Sequence, residues 1–301
     1  MNKLDKAIST AKKLIDKSYN FFSLDSYFPQ LHKSFGDLGF ITTDSNLPIK
    51  LMSGNHDNSG IVTHNQLISP YRKKNIYIIG KGILFDSGGL DLKRPGSMAG
   101  MYDDKAGAII ALSVANYFKD NVVAYCPVTT NFIQNSQITS GDEIKIGKKI
   151  VKVNNTDAEG RLILAEALST LNVTEDDVVI TIATLTGCCA SAIGNKATAV
   201  LTPNDKLAQL FSKASEEVKE LSWRLPLWDY IEKDFFKKKI IKNANSEIIA
   251  DTLGAAVFLK QFVKYPGRWI HLDIAYSAFD KKGKANGTPI KTLVNFIKEI
   301  K

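Results

Sequence analysis

Apolar and polar residues along the 301-residue chain follow two different periods. Near the start, Leu4, Ala7, Ile8, Ala11, Leu14 and Ile15 recur at helical spacing with lysines between them, which predicts an amphipathic helix. Those lysines also interrupt any apolar run of the kind a signal peptide requires. From residue 75 the texture changes. The segments 75–80 (NIYIIG), 122–129 (VVAYCPVT), 177–187 (DVVITIATLTG) and 269–275 (WIHLDIA) are short, apolar and rich in β-branched or aromatic residues, as strands buried on both faces are. Helical periodicity is predicted over 105–118, 161–171, 206–221, 246–263 and 290–300. Strands alternating with helices predict an α/β domain with a largely parallel sheet.

Ahead of that domain, residues 1–72 read as one or two helices, a short strand over 47–52 and a polar loop over 53–66, with any domain boundary near 53–74. A composition of 44% hydrophobic and 23% charged residues excludes disordered and fibrous classes. No run approaches the roughly 18 apolar residues of a membrane span. The net charge of +8 comes mostly from lysine, 34 of 39 basic residues, with no dense basic block. Such a balance predicts a solvated lysine surface and leaves a nucleic-acid partner as the alternative. Three cysteines, Cys126, Cys188 and Cys189, are too few for a disulfide scaffold, and a bridge between the adjacent pair is strained. A reducing, cytoplasmic location follows as the expectation.

Three stretches carry charge in places where apolar segments end. In NTDAEGRL (155–162), Asp157 and Glu159 are two apart, so on an extended segment their carboxylates share a side, Arg161 follows, and Gly160 permits a sharp change of direction. The bland alternative is a surface turn rich in capping residues. In GKGILFDSGGLDLK (80–93), neither GxxxxGK[ST] nor GxGxxG stands in frame, so a phosphate loop is weakly supported. The string DSGG is shared with trypsin-like serine proteases, but none of the four histidines stands in a recognisable catalytic setting and the α/β texture is wrong for that fold. A metal site is the third reading, with Asp86 on a tight Gly88-Gly89 turn between Lys81 and Lys93. In MAGMYDDKAGA (98–108), Asp103 and Asp104 precede an apolar helix, where acids ordinarily face the helix dipole.

Together these stretches point further than any does alone. Asp86, Asp104, Asp157 and Glu159 supply four negative charges, enough for two divalent cations, and oxygen donors suit Zn²⁺, Mn²⁺, Mg²⁺ or Co²⁺. Two ions roughly 3.5–4 Å apart can hold a bridging water as hydroxide near neutral pH and polarise a carbonyl.

NTDAEGRL, with KGILFDSGGLDLK upstream, closely resembles the signature of the leucyl (cytosol) aminopeptidases, which are dinuclear metallopeptidases. The resemblance continues through ATLTG (183–187), WRLPLW (223–228), LGAAVFLKQFV (253–263), HLDIA (271–275) and GTPIKTL (287–293). It implies a three-layer α/β/α catalytic domain over 75–301 around a mixed, mostly parallel sheet, preceded by a short helical lead-in over 1–74. It also implies Lys81, Asp86, Asp104, Asp157 and Glu159 as metal ligands, with Asp86 and Glu159 bridging the ions. Lys81 can ligate only as a neutral amine, which requires a depressed pKa. Lys93 is implied as the charged group that stabilises the oxyanion. Arg161 resembles the residue that holds a bicarbonate ion acting as general base, a role no histidine here is placed to take.

By the same resemblance the substrate is a peptide, its free amine on one metal and its first carbonyl on the other. Met101, Thr184, Gly187 and Ala275 fall where the family lines the pocket for the first side chain, and backbone groups around Leu185 to Gly187 bind the peptide. A leucine-like or methionine-like side chain is expected there. Hexamers are common in the family, so a homo-oligomer is expected. Departures are Tyr276 in place of a common glycine, Cys188-Cys189 in place of small residues, and Asp103 beside Asp104, where spacing from Lys81 favours Asp104. The separate N-terminal α/β domain of family members is expected to be mostly or wholly missing from these 301 residues. A catalytically idle relative with a structural or nucleic-acid-binding role is the competing reading.

Overall fold

The computed structural model describes residues 1–65, 74–134, 137–236, 240–244 and 251–301. The N-terminal part contains α1 (Lys3–Ile15), α2 (Tyr27–Phe35), β1 (Leu38–Ile41), α3 (Pro48–Met52) and β2 (Gly60–His64). The central part runs β3 (Ile76–Gly80), β4 (Gly82–Asp86), α4 (Ala106–Phe118), β5 (Val122–Asn131), β6 (Glu143–Ile146), β7 (Lys149–Lys152), α5 (Gly160–Thr170) and β8 (Val178–Ala183). It is followed by α6 (Cys189–Ile193), β9 (Thr198–Leu201), α7 (Asp205–Glu217), β10 (Ser222–Arg224), α8 (Asp229–Phe235) and β11 (Ile241–Lys242). The chain closes with α9 (Asp251–Lys260), β12 (Trp269–Asp273) and α10 (Ile290–Ile300).

The four strands expected from apolar runs become β3, β5, β8 and β12, the inner strands of a nine-stranded sheet ordered β1-β2-β5-β3-β8-β12-β9-β10, with β4 also paired to β5. Pairings β3 to β5, β3 to β8, β8 to β12, β4 to β5 and β9 to β10 are parallel. Those of β1 with β2, β2 with β5 and β9 with β12 are antiparallel. Alternate residues enter separate cores. Val178, Ile180 and Ile182 join Ile76, Ile78, Ile270 and Leu272 under α1, α2, α4, α7 and α10. Val179, Ala183, Ile79 and Trp269 face α3, α5 and α9 on the other side. This is the expected three-layer architecture. Helix α4 is apolar all round, its residues Ala106 to Ala115 are all buried, and it lies in the middle of the first layer.

The N-terminal region differs from its sequence reading in two places. The strand expected over 47–52 is the short helix α3, whose Pro48 at its first turn is the start signal that the apolar content concealed. The loop expected over 53–66 contains β2, fully buried between β1 and β5, because Ile61, Val62 and Thr63 are β-branched inside otherwise polar flanks. Residues 60–64 therefore belong to the main sheet, and packing is continuous across that part of the expected boundary. The helix expected over 246–263 is seen as α9, and positions 246–250 lie outside the described residues. The hairpin β6–β7 and its partner β11 form a separate three-stranded sheet without a sequence expectation.

Helix α1 is tied to the rest by Lys105, whose buried ammonium donates to Ile15 O at 3.0 Å and Lys17 O at 2.8 Å, and to Tyr102 O. Burial lowers its pKa to about 7, with Asp103 and Asp16 opposing the shift.

Two contacts yield measurable expectations. A Cβ on Gly107 would overlap the Ile182 carbonyl and come within 2.9 Å of Lys81 N, so the start of α4 sits directly on the strand ends. Gly107→Ala is expected to lower stability by roughly 1–3 kcal/mol in urea unfolding, and an unchanged midpoint would overturn this contact. Glu166 in α5 accepts the Ile49 amide of α3 at 2.8 Å while fully buried, and burial holds its carboxyl up at about 7 against an ordinary 4.5. The folded state therefore binds this proton more tightly than the unfolded state. Its contribution is complete below pH 4.5 and is lost as pH rises through about 7. Glu166→Gln is expected to gain up to about 3 kcal/mol on wild type between pH 4.5 and pH 7.5, and parallel pH profiles would refute the assignment.

Candidate metal centre

The sheet's strand ends meet at a cavity of about 1070 Å³, above the size common for small-ligand sites. Lys81, Asp86, Lys93, Asp104, Asp157 and Glu159 all line it. Lys81 occupies the single residue between β3 and β4, and Asp86 ends β4. The next turn reverses through Gly88 and Gly89 at φ +92° and +64°, and a Cβ at Gly88 would lie 2.5 Å from Asp91 O. This reversal returns Lys93 to Asp86, with Lys93 N donating to Ser87 O at 3.0 Å.

Each acid is held by neighbours. Asp86 Oδ1 accepts from Asn131 Nδ2 at 2.7 Å and Gly88 N at 2.9 Å, and Asp86 Oδ2 stands 2.6 Å from Lys93 Nζ. Asp104 Oδ1 accepts from the Thr184 hydroxyl at 2.7 Å. Lys81 Nζ lies 2.8 Å from Asp104 Oδ2 and 2.8 Å from Glu159 Oε1, and donates to Thr184 O at 3.0 Å. The Lys81 ammonium is thus shared between Asp104 and Glu159. Lys93 also pairs with Asp157. Asp86, Asp104 and Glu159 are buried, and each offers one oxygen within 4.8 Å of the others. Asp103 lines the cavity outside that group.

Gly160 has a different purpose from the one its sequence suggested. It is the first residue of α5, and an added Cβ would lie 2.7 Å from Lys81 Cε and 2.8 Å from Lys81 Nζ. The glycine makes room for the lysine. Residues 156–157 form a turn and Glu159 is already helical, so the two acids share the cavity through a turn and not through an extended segment.

Four carboxylates face only two ammonium groups, and the electrostatics show the imbalance. Burial, then Glu159 and Asp86, push Asp104 well up against the pull of Lys81. Burial and Asp86 raise Glu159, and burial and Asp86 raise Asp157. Burial works against the charge on Lys81, but Asp104, Glu159 and Asp86 outweigh it and raise its pKa. The depressed Lys81 pKa expected from the sequence is thus not a property of the protein groups alone. A neutral, ligating amine needs additional positive charge nearby to drive off its proton. Hard oxygen donors and crowded negative charge that two lysines leave partly uncompensated fit divalent cations.

All five expected pocket residues, Met101, Thr184, Leu185, Gly187 and Ala275, line the same cavity, as does Tyr276. Arg161 does not: its guanidinium is buried behind the cavity wall, donating to Asn243 O at 2.8 Å and Asp251 Oδ1 at 2.7 Å. None of the four histidines lines the cavity. His271 is buried with its pKa lowered to about 3 by burial, and its Nδ1 is 2.9 Å from the Thr181 hydroxyl. All three cysteines are free.

Several supporting residues had no role in the sequence reading. Asp273 accepts from Leu185 N at 3.2 Å and from Thr186 N at 3.0 Å, fixing the 184–187 loop, with its carboxyl raised to about 6 by burial. A charged residue inside the apolar run WIHLDIA was its available signal. Asp91 accepts from Thr156 N at 2.6 Å and from the Ser140 hydroxyl at 2.7 Å, bonds that lower its pKa and join the Asp86 turn to the Asp157 turn. Asn131 and Asn243 carried no signal beyond their positions at strand ends.

The family model for the catalytic domain of the cytosol aminopeptidase family matches residues 53–294. A protein of Syntrophotalea carbinolica described as a probable cytosol aminopeptidase is 39% identical over 241 residues, covering 75% of this chain and 48% of its own length. One of Buchnera aphidicola with the same description is 37% identical over 234 residues, covering 74% and 46%. The chain spans about half the length of these curated relatives. Among solved structures, the bottromycin maturation enzyme BotP in complex with Mn superposes with a TM-score of 0.86 at 25% identity, covering 99% of this chain and 70% of that one.

Crowded charge makes a test that needs no substrate. Metal-free Glu159→Gln is expected to unfold at the same or a higher temperature than wild type, while Mn²⁺ or Zn²⁺ affinity falls by about tenfold or more. Calorimetric titration showing wild-type affinity in this variant would remove Glu159 from the ligand set.

Proposed function

Since the chain belongs to the cytosol aminopeptidase family, we propose that it is a metal-dependent aminopeptidase removing an apolar, leucine-like N-terminal residue from peptides. The observation that carries this reading is the buried group of Asp86, Asp104 and Glu159, with Asp157 beside it, at a cavity large enough for a peptide. Two divalent ions held by these acids and by Lys81 would supply Lewis acidity toward a peptide carbonyl and toward water.

The protein's own groups do the rest. Lys93 stays an ammonium because Asp86 and Glu159 outweigh the burial that disfavours its charge, and its location between Asp86 and Asp157 suits it to receive a developing oxyanion. Asp273 holds the Leu185 and Thr186 amides in place, so the backbone to Gly187 is preorganised to align an extended peptide. Met101, Leu185 and Ala275 give the cavity apolar surface for the first side chain, and Tyr276 narrows it beside Gly187, with its hydroxyl 3.6 Å from where a Cβ there would stand. BotP's description with Mn makes Mn²⁺ the first ion to try, with Zn²⁺ second. A cytoplasmic location is supported by the three free cysteines and by the relatives' descriptions. Assembly with further copies is supported by exposed Leu221 and Trp223 at the edge strand β10, where solution mass is the measurement.

Metal-free protein is expected to release p-nitroaniline from leucine p-nitroanilide, and leucine from Leu-Gly, only after Mn²⁺ or Zn²⁺ is added. Lys93→Ala is expected to lower kcat by about 10²–10³ with metal affinity retained, and Asp157→Asn to lose both. Folded, metal-loaded protein that releases nothing at any pH would refute the proposal.

A further inference from the structure

The family resemblance assigns Arg161 a bicarbonate ion, and the surroundings of Arg161 do not fit one. The residue is 3% exposed and is absent from the cavity lining. One terminal nitrogen is committed to Asn243 O at 2.8 Å, and the other to the Asp251 carboxylate at 2.7 Å. Only the buried Nε is left without a partner among the described residues. These bonds use two of the five N–H groups of the guanidinium, but its charge is already matched by the Asp251 carboxylate, so a second anion here would meet that carboxylate as well as the arginine.

Asp251 is held there from both sides. It is half exposed and is the first described residue of α9. The next residue, Thr252, is pinned to the loop at the cavity wall, its hydroxyl 2.6 Å from the Thr186 hydroxyl and its amide donating to Cys188 Sγ at 3.2 Å. On the opposite side, Asn243 accepts from Asn154 N at 2.7 Å and donates to Asn155 O at 2.6 Å, at the turn that presents Asp157. The Arg161–Asp251 pair thus connects the ligand-bearing turn to the peptide-binding loop.

We infer that Asp251 is the resident anion of Arg161, a covalently tethered carboxylate in the place the family gives to bicarbonate, and that this protein works without bicarbonate. Tethering gives the carboxylate an effective concentration that a dissolved ion must exceed to displace it. A second anion beside it would also add negative charge to a neighbourhood where four carboxylates already face two ammonium groups. Asp251 acts on the site as a positioning residue, through Arg161.

The activity arm of the test rests on the aminopeptidase reading, and the binding arm does not. In metal-free protein, ¹³C-bicarbonate monitored by NMR, with thermal shift in parallel, is expected to show no saturable binding to wild type and saturable binding to Asp251→Ala. In buffer stripped of CO₂, wild-type activity is expected to stay within about twofold of its value with bicarbonate. That of Asp251→Ala is expected to fall roughly tenfold or more and to return with added bicarbonate or formate. Asp251→Asn, of equal size and neutral, reports whether the charge matters apart from packing, and is expected to fall as the alanine variant does. Bicarbonate binding to wild type, a several-fold bicarbonate activation of wild type, or an Asp251→Ala variant that neither binds nor responds to bicarbonate would each overturn the inference. Inactive wild type with the expected binding pattern would leave the inference standing and remove the peptidase reading alone.

Discussion

Repulsion among four carboxylates is the constraint around which this structure is organised. Asp86, Asp104, Asp157 and Glu159 come from three separate stretches of chain, and each is pushed toward its neighbours by a backbone that has no freedom to retreat. Lys81 and Lys93 offset half of that charge, one threading beneath the acids and the other lying across them. The remaining imbalance leaves the site with excess negative charge, which a divalent cation would offset.

Holding such a cluster together demands rigidity from residues that never touch it. The approach of α4 to the strand ends, permitted by Gly80 and Gly107, brings Asp104 to Lys81. Gly160 clears the path of the lysine side chain. Asn131, Asp91 and Thr156 fasten the Asp86 turn to the Asp157 turn, and Asp273 fastens the peptide-side loop. These are short-range, directional bonds, several of them among buried groups, and their combined effect is a site whose geometry is set before any ligand arrives.

The acids of the candidate site were legible in the sequence because charged residues at the ends of apolar runs stand out, and because the spacing in NTDAEGRL is specific. The sheet interior was equally legible in NIYIIG and DVVITIATLTG, where burial on both faces leaves an unbroken apolar run. What escaped notice depends on contacts distant along the chain. Arg161 looks available in sequence, and only the fold brings Asp251 onto it from 90 positions away. Gly160 looks like a bend, and only the path of Lys81 shows it to be a clearance. Strand β2 was hidden because its polar flanks outweighed the three β-branched residues at its centre, and α3 because five residues are too few to display a helical period.

Lys105 gives the N-terminal helix a standing that its position in the chain conceals. Its ammonium gathers the carbonyl of Ile15 at the end of α1 and that of Lys17 just beyond it, together with that of Tyr102, two residues before Asp104, so the helix serves as a buttress behind one wall of the candidate metal centre. The family match begins at residue 53 and leaves this buttress out. A unit cut at the family boundary would keep all four acids and lose the support behind Asp104, so the stretch that the family model recognises is shorter than the stretch that holds these acids in place.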